Sequence, residues 1–254
     1  MSNKIIWITG GSSGIGFATA KHFLKRNWIV IISSSNIEKL TNAKNKIINN
    51  DNIDNLHIMK CDITDKNEVR NTISSIQKDL GNINIAMLNA AAYSPNQNQE
   101  FDINNYELLI DVNLKGTLYC IDSLKEVMKN KGNTIAIVSS PIGYRGWPTS
   151  GAYGMTKAAQ LNLSESLFFD FKKIGINIKV INPGFIDTEA TRLNSFKMPF
   201  LKSAEFAAEK IYNGLVHKKK FEIYFPFFIV FCVKILRIIP YRLYFYLWKK
   251  IGNF

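Results

Sequence analysis

Short apolar runs rich in β-branched residues alternate along this chain with longer stretches in which apolar residues return every third or fourth position. The short runs fall at Ile5–Thr9, Ile29–Ser33, Leu56–Lys60, Ile85–Asn89, Thr134–Ser139 and Ile176–Asn182, and each predicts a buried strand. The longer stretches, near Ile15–Arg26, Ile37–Ile48, Lys66–Leu80, Tyr106–Asn130 and Tyr153–Lys173, predict helices. Ser203 suits the N-cap of a further helix reaching Val216, and Phe221–Tyr224 reads as a short seventh strand halted by Pro226. Repeated strand–helix–strand units imply a parallel sheet covered by helices on both faces. Right-handed crossovers then favour a doubly wound sheet.

Length and composition change this picture little. A chain of 254 residues, 46% hydrophobic and 20% charged, suffices for one large α/β domain with a buried core. Cys61, Cys120 and Cys232 are widely spaced, and His22, His57 and His217 are scattered. That pattern argues against a disulfide framework or a metal site and for a reducing, cytoplasmic setting. The first strand begins too soon for a secretory signal. Residues 1–225 are therefore expected to form a single α/β domain, with residues 226–254 a helical tail rather than an independent domain.

Charge alters the reading more. Of the net charge of +12, +7 falls in residues 217–254, where eight lysines and arginines face Glu222 alone. Positive charge set in an apolar, aromatic segment suits a lipid surface better than nucleic acid.

Thr9-Gly10-Gly11-Ser12-Ser13-Gly14-Ile15-Gly16 joins the first strand to the first helix. Glycines there permit a tight turn and close backbone approach to a diphosphate, and the helix start offers unpaired N–H groups and partial positive charge. This predicts a Rossmann-type dinucleotide site. A carboxylate ending the second strand would bind the adenosine ribose and repel a 2′-phosphate. This chain has Ser33, Ser34, Ser35 and Asn36 there, with Lys39 a turn beyond, so NADP(H) is favoured while NAD(H) stays open.

Tyr153 and Lys157 stand one helical turn apart. A phenol titrates near 10, and an ammonium held close favours the phenolate, which suits proton transfer at a substrate oxygen. Asn89, Ser140 and Asn182-Pro183-Gly184 all lie at predicted carboxyl ends of strands, where open parallel sheets bind ligands.

Together TGGSSGIG, CDITD, LNAAA, VNLKG, IVSS, YGMTK and NPGFIDT, in this order over roughly residues 4–225, make the chain similar to the short-chain dehydrogenase/reductase family. The resemblance implies reversible carbonyl–alcohol interconversion by hydride transfer. It makes Tyr153 the acid/base and Lys157 the group that lowers its pKa and holds the nicotinamide ribose. It gives Ser140 to the substrate oxygen, and it has Asn113 anchor a water that links Lys157 to solvent. The cofactor would meet Gly10, Ser12, Ser13, Gly14, Ile15 and Gly16 at its diphosphate and Ser34, Ser35 and Asn36 at its ribose. Asp62 and Ile63 would flank the adenine. Asn89, Ala90 and Ala91 would line the floor, and Pro183, Gly184, Ile186 and Thr188 would lie at the nicotinamide. Leu88 and Ala91 depart from the usual NNAG at that floor, which implies altered packing. The family also implies a homodimer or homotetramer built on the helices near Asn113 and Tyr153.

Beyond Phe225 an apolar run broken by Lys234 and Arg237 precedes Pro240, and an aromatic stretch ending in Lys249-Lys250 follows. Each part is shorter than the roughly 20 residues that span a bilayer. Two helices in the headgroup region of a membrane are the expectation, with helices packed over the crevice as the alternative. Either one suggests a small, hydrophobic or lipid-like substrate, under a mobile loop of residues 185–202. The rival readings are a 3-oxoacyl thioester reductase and, of another class, a membrane-associated nucleotide-binding regulatory protein.

Overall fold

Seven parallel strands in the order β3-β2-β1-β4-β5-β6-β7 make up the centre of the computed structural model, which describes residues 4–48, 53–94 and 101–252. They are β1 (Ile5–Thr9), β2 (Ile29–Ser34), β3 (Leu56–Lys60), β4 (Ile85–Leu88), β5 (Asn133–Val138), β6 (Ile176–Pro183) and β7 (Glu222–Phe225). Each strand places successive side chains on opposite faces. Ile6 and Ile8 of β1 enter one core with Val30, Ile32, Met87 and Ile181, while Ile5 and Trp7 enter the other with Ile31, Ala86 and Ile137. That double burial is why the strands read as continuous apolar runs.

Helices α1 (Gly14–Leu24), α2 (Ile37–Ile48) and α7 (Ala204–Val216) cover the first face. On the second lie α3 (Lys66–Asp79), α5 (Gly116–Met128) and α6 (Gly151–Lys173). Asp65 caps α3 through the N–H groups of Asn67 and Glu68, and Ser203 caps α7 through that of Phe206. Ser13, at the N-cap of α1, makes no such side-chain bond. The start of α1 is thereby left with donors for something other than its own cap.

The single helix expected over Tyr106–Asn130 is instead three pieces: α4 (Ile103–Leu109), a wider π-type turn over Ile110–Lys115, and α5. A π turn of six residues between two helices is too short to show its own period, so the sequence pattern hides it. Asn113 lies inside this turn and is fully buried.

The tail forms α8 (Phe227–Ile238) and α9 (Tyr241–Gly252). Val230 and Val233 of α8 are buried beside Tyr144, Leu161 and Val180. Lys234 of α8 donates to Glu222 on β7, which also accepts from Tyr144 Oη and, at 2.8 Å, from Asn182 Nδ2. The Arg145 guanidinium lies over the rings of Tyr241 and Tyr244 at 4.3 and 4.5 Å and donates to the carbonyl of Arg237 at 3.1 Å. One face of the tail therefore packs against the body. The other carries Phe227, Phe231, Ile238, Phe245 and Tyr246 into solvent. Among the described residues no helix is long and apolar enough to cross a membrane.

Candidate active site

A cavity of about 700 Å³ opens above the carboxyl ends of the strands. One end is the glycine turn. Gly10 has φ +63°, and a Cβ there would stand 2.7 Å from the Cα of Ala90; a Cβ on Gly16 would stand 2.4 Å from the carbonyl of Gly10. Only glycine lets the turn fold this tightly onto the β4 loop. Gly10, Ser12, Ser13, Gly14 and Ile15 line the cavity, while Gly16 lies behind them as packing. Asn89 secures the turn by donating from Nδ2 to the carbonyls of Thr9 and Gly10 at 3.1 and 3.0 Å.

The cavity continues along β2 past Ser34, Ser35, Asn36 and Lys39, and past Asp62 and Ile63 after β3. No carboxylate stands at the end of β2; Asp62 lies across the groove, where its Oδ1 accepts from the N–H and hydroxyl of Thr64 at 2.9 and 2.8 Å. Asn89, Ala90 and Ala91 form the floor, and Pro183, Gly184, Ile186 and Thr188 the far wall. An uncapped helix start, a clash-tight glycine turn and a long groove fit a nicotinamide dinucleotide.

Ser140, Tyr153 and Lys157 meet at the other end of the same cavity. Ser140 follows β5 and accepts weakly from the N–H of Ile142 at 3.4 Å, which leaves its hydroxyl able to donate. Tyr153 lies in the first turn of α6. Its phenol is pushed well above the ordinary range, first by burial and then by the neighbouring Tyr93. Burial pulls Lys157 down to about 7. The expected lowering of Tyr153 by Lys157 is therefore not what this geometry gives. Lys157 Nζ sits 5.5 Å from the Tyr153 ring centroid and donates to the carbonyl of Val138 at 2.8 Å and to Gln160 Oε1 at 3.0 Å. Desolvation is the largest cause of both shifts.

Asn113 lies outside the cavity wall. Its side chain clamps the β4 loop, accepting from Ala92 N–H at 2.8 Å and donating to the Ala92 carbonyl and to Thr156 Oγ1, each at 3.1 Å. Its own carbonyl accepts Gln160 Nε2 at 2.8 Å. A side chain long enough to reach across from α6 takes up that acceptor.

Sequence reasoning missed Gln160, Tyr93, Trp147 and the pair Ile229 and Val233, all of which contact or line the site. Gln160 could have been flagged as a polar residue on an otherwise buried helical face. Tyr93, in an irregular loop, carried no such signal. Phe185 and Phe196 of the 185–202 loop stand on the cavity, their rings 5.8 Å apart. The loop is tied at its base by Asp187 N–H to the Lys202 carbonyl at 2.8 Å and by Lys202 N–H to the Phe185 carbonyl at 3.0 Å. Among the described residues no cluster of potential ligands could hold a metal ion.

The short chain dehydrogenase family model matches residues 4–197. An uncharacterized oxidoreductase of Staphylococcus aureus is 29% identical over 192 residues, covering 75% of this chain and 81% of that protein. The 3-oxoacyl-[acyl-carrier-protein] reductase of Rickettsia bellii is 31% identical over 192 residues, covering 75% of this chain and 76% of that protein. Among solved structures, ElxO with NADP bound superposes with a TM-score of 0.78 at 27% identity, covering 87% of this chain and 97% of that one. A tyrosine-to-phenylalanine variant of ElxO with NADPH bound gives the same score at 26% identity.

Proposed function

The chain belongs to the short-chain dehydrogenase/reductase family of oxidoreductases acting on CH–OH groups, and from that premise we propose that it interconverts a hydrophobic ketone and its secondary alcohol with NADP(H). The carrying observation is one cavity with a dinucleotide groove at one end and an apolar chamber at the other. Phe185, Phe196, Ile229 and Val233 wall that chamber beside Tyr153 and Ser140.

The cofactor would lie along the glycine turn, with Ser34, Ser35, Asn36 and Lys39 at its adenosine end, and would supply or accept hydride at its nicotinamide. NADP and NADPH bound to ElxO, and the missing carboxylate after β2, support NADP(H) over NAD(H). Tyr153 would hold the proton that reaches the substrate oxygen, Ser140 would donate to that oxygen, and Lys157 would hold the nicotinamide ribose. Asn113 would act at a distance, fixing Ala92 and thus the floor at Ala90 and Ala91.

The 3-oxoacyl-thioester reading is kept as a second one because the Rickettsia bellii relative carries that activity in its name. Two features support peripheral membrane contact through the tail: exposed aromatics on α8 and α9, and lysines and arginines beside them. Exposed Leu118 on α5 and Phe169 on α6 support a homodimer or homotetramer formed through those helices. Free Cys61, Cys120 and Cys232 suit a reducing cytoplasm.

A screen of NADPH oxidation over methyl ketones of rising chain length, with 3-oxoacyl thioesters in parallel, tests the function. Activity climbing with chain length supports the hydrophobic-ketone reading. Thioesters preferred over every ketone support the second reading, and no oxidation of NADPH with any carbonyl refutes both.

A further inference from the structure

Gln160 lies on α6 one turn beyond Lys157, and its amide is fully used. Oε1 accepts from Lys157 Nζ at 3.0 Å, and Nε2 donates to the Asn113 carbonyl at 2.8 Å and to Thr117 Oγ1 at 3.0 Å. All four residues are buried, none more than 3% exposed. Chemistry fixes the orientation of this amide. Reversed, it would set an NH2 against an ammonium and an oxygen against the carbonyl of Asn113. The second Lys157 acceptor is the Val138 carbonyl at 2.8 Å. An ammonium has three N–H bonds, so one is left for the cavity.

We propose that Gln160 is a positioning residue that holds the Lys157 ammonium at the back of the site, joining it directly to the carbonyl of Asn113. The inference rests on the oxidoreductase reading above. A direct side-chain bridge differs from a water in two ways. It cannot drift away when the cofactor leaves, and a carboxamide does not pass on a proton as water does. Lys157 is therefore held in one place between turnovers, and the proton that Tyr153 gives up is restored from the open side of the cavity.

The bridge also matters because, among the described residues, no carboxylate is bonded to Lys157. The ionisable groups that face it are Tyr153 on its own helix and Tyr93 packed on Tyr153. Across the cavity lie Asp111 of the π turn, paired with Lys115 at 2.7 Å, then Asp62 after β3, Glu189 of the 185–202 loop, and Lys39 of α2. The neutral acceptors Gln160 Oε1 and the Val138 carbonyl are then what favours the charged amine against the pull of burial.

The test is the pH dependence of NADPH binding, read by fluorescence on the full chain, for the parent, Gln160→Met and Gln160→Glu. Methionine matches the volume and removes the acceptor; glutamate keeps an acceptor and adds charge. The midpoint above which NADPH affinity weakens should move down by about one pH unit in Gln160→Met and up by about one in Gln160→Glu, the size of one hydrogen bond to a charged group. Above the parent midpoint, affinity in Gln160→Met then falls about tenfold. A merely structural role would shift neither midpoint, or both the same way. A Gln160→Met midpoint within about 0.3 units of the parent overturns the proposal. If Gln160→Met does not fold, Gln160→Glu decides alone, and a midpoint that is unmoved or lowered overturns it. Should the parent bind NADPH yet reduce no carbonyl, the oxidoreductase reading fails, while these midpoints still report on the Lys157–Gln160 contact.

Discussion

The ring of Tyr93 stands edge-on to that of Tyr153, centroids 4.8 Å apart and planes at 84°. Tyr93 Oη in turn donates to Asn194 in the 185–202 loop, so the phenol at the centre of the site and the loop over it share one neighbour. Burial first, and Tyr93 second, raise the Tyr153 phenol and keep its hydroxyl protonated, ready to donate to a carbonyl oxygen. Tyr153→Phe preserves the edge-on packing and deletes only that proton. Turnover should fall by about 10²- to 10⁴-fold, the usual worth of a general acid, while NADPH affinity by fluorescence titration stays within about threefold. Residual activity within about tenfold of the parent would remove Tyr153 from its role.

Cofactor preference should turn on Asn36. Its Oδ1 accepts the N–H of Lys39 at 2.9 Å, a bond that aspartate makes equally well, so Asn36→Asp changes charge and almost nothing else. A negative charge at the adenosine end of the groove opposes a 2′-phosphate and not a ribose hydroxyl. The dissociation constant for NADPH is expected to rise about tenfold and that for NADH by less than about threefold, for a single partly exposed charge contact. Equal changes for both cofactors would place the 2′ position somewhere else.

How much of this the sequence shows depends on the kind of contact. β1 and β2 were legible because burial on both faces leaves an apolar run at Ile5–Ile8 and at Ile29–Ile32, with hydroxyl residues only at the carboxyl ends, and the site there followed from the parallel topology. The glycine turn was legible because Gly10 and Gly16 have no room for a Cβ. The π turn was not, since 110–115 is a single turn set between two helices, too short to show a period of its own. Nor was the bridge from Lys157 to Asn113, because Gln160 and Asn113 are 47 residues apart and meet only when α6 packs on that turn. The tail shows the same limit. Its apolar character was plain, but which face packs on Tyr144 and which stays free is decided by Glu222, Arg145 and Gly146, distant in sequence.

Lys157 should cost the fold stability in a known pH window. Its folded pKa is lowered to about 7 by burial, whereas an unfolded lysine titrates near 10.4. Between those values the unfolded chain holds the extra proton, so this group makes the protein more stable as pH rises, by about 1.4 kcal/mol per unit. Lys157→Met lacks that dependence and instead leaves the acceptors of Val138 and Gln160 unmet, a fixed cost. In denaturant unfolding at rising pH from 7 to 10, the stability of Lys157→Met relative to the parent should therefore decline steadily. A difference independent of pH would mean that Lys157 titrates near its ordinary value in the folded chain.

Membrane contact is to be sought on the outer faces of α8 and α9, not by removing the tail. Ile229 and Val233 line the cavity, so a chain ending at Pro226 would lose part of the site along with any lipid surface. Phe227 and Phe231 stack at 5.7 Å on the free face of α8, and Phe245 is exposed on α9 beside a last turn that ends in Lys249 and Lys250. Burying one such phenylalanine contributes about 1.5–3 kcal/mol, and each lysine near an anionic surface about 1 kcal/mol. Phe231→Ser should therefore weaken cosedimentation with phosphatidylcholine–phosphatidylserine vesicles by roughly tenfold or more. Lys249→Gln with Lys250→Gln should weaken it by a similar amount, and only where phosphatidylserine is present. Both variants should turn over a short, water-soluble ketone at the parent rate, because none of the three positions lines the cavity. If the parent fails to sediment with either vesicle, the exposed faces serve another purpose, and association between copies of the chain at those same phenylalanines becomes the measurement to make.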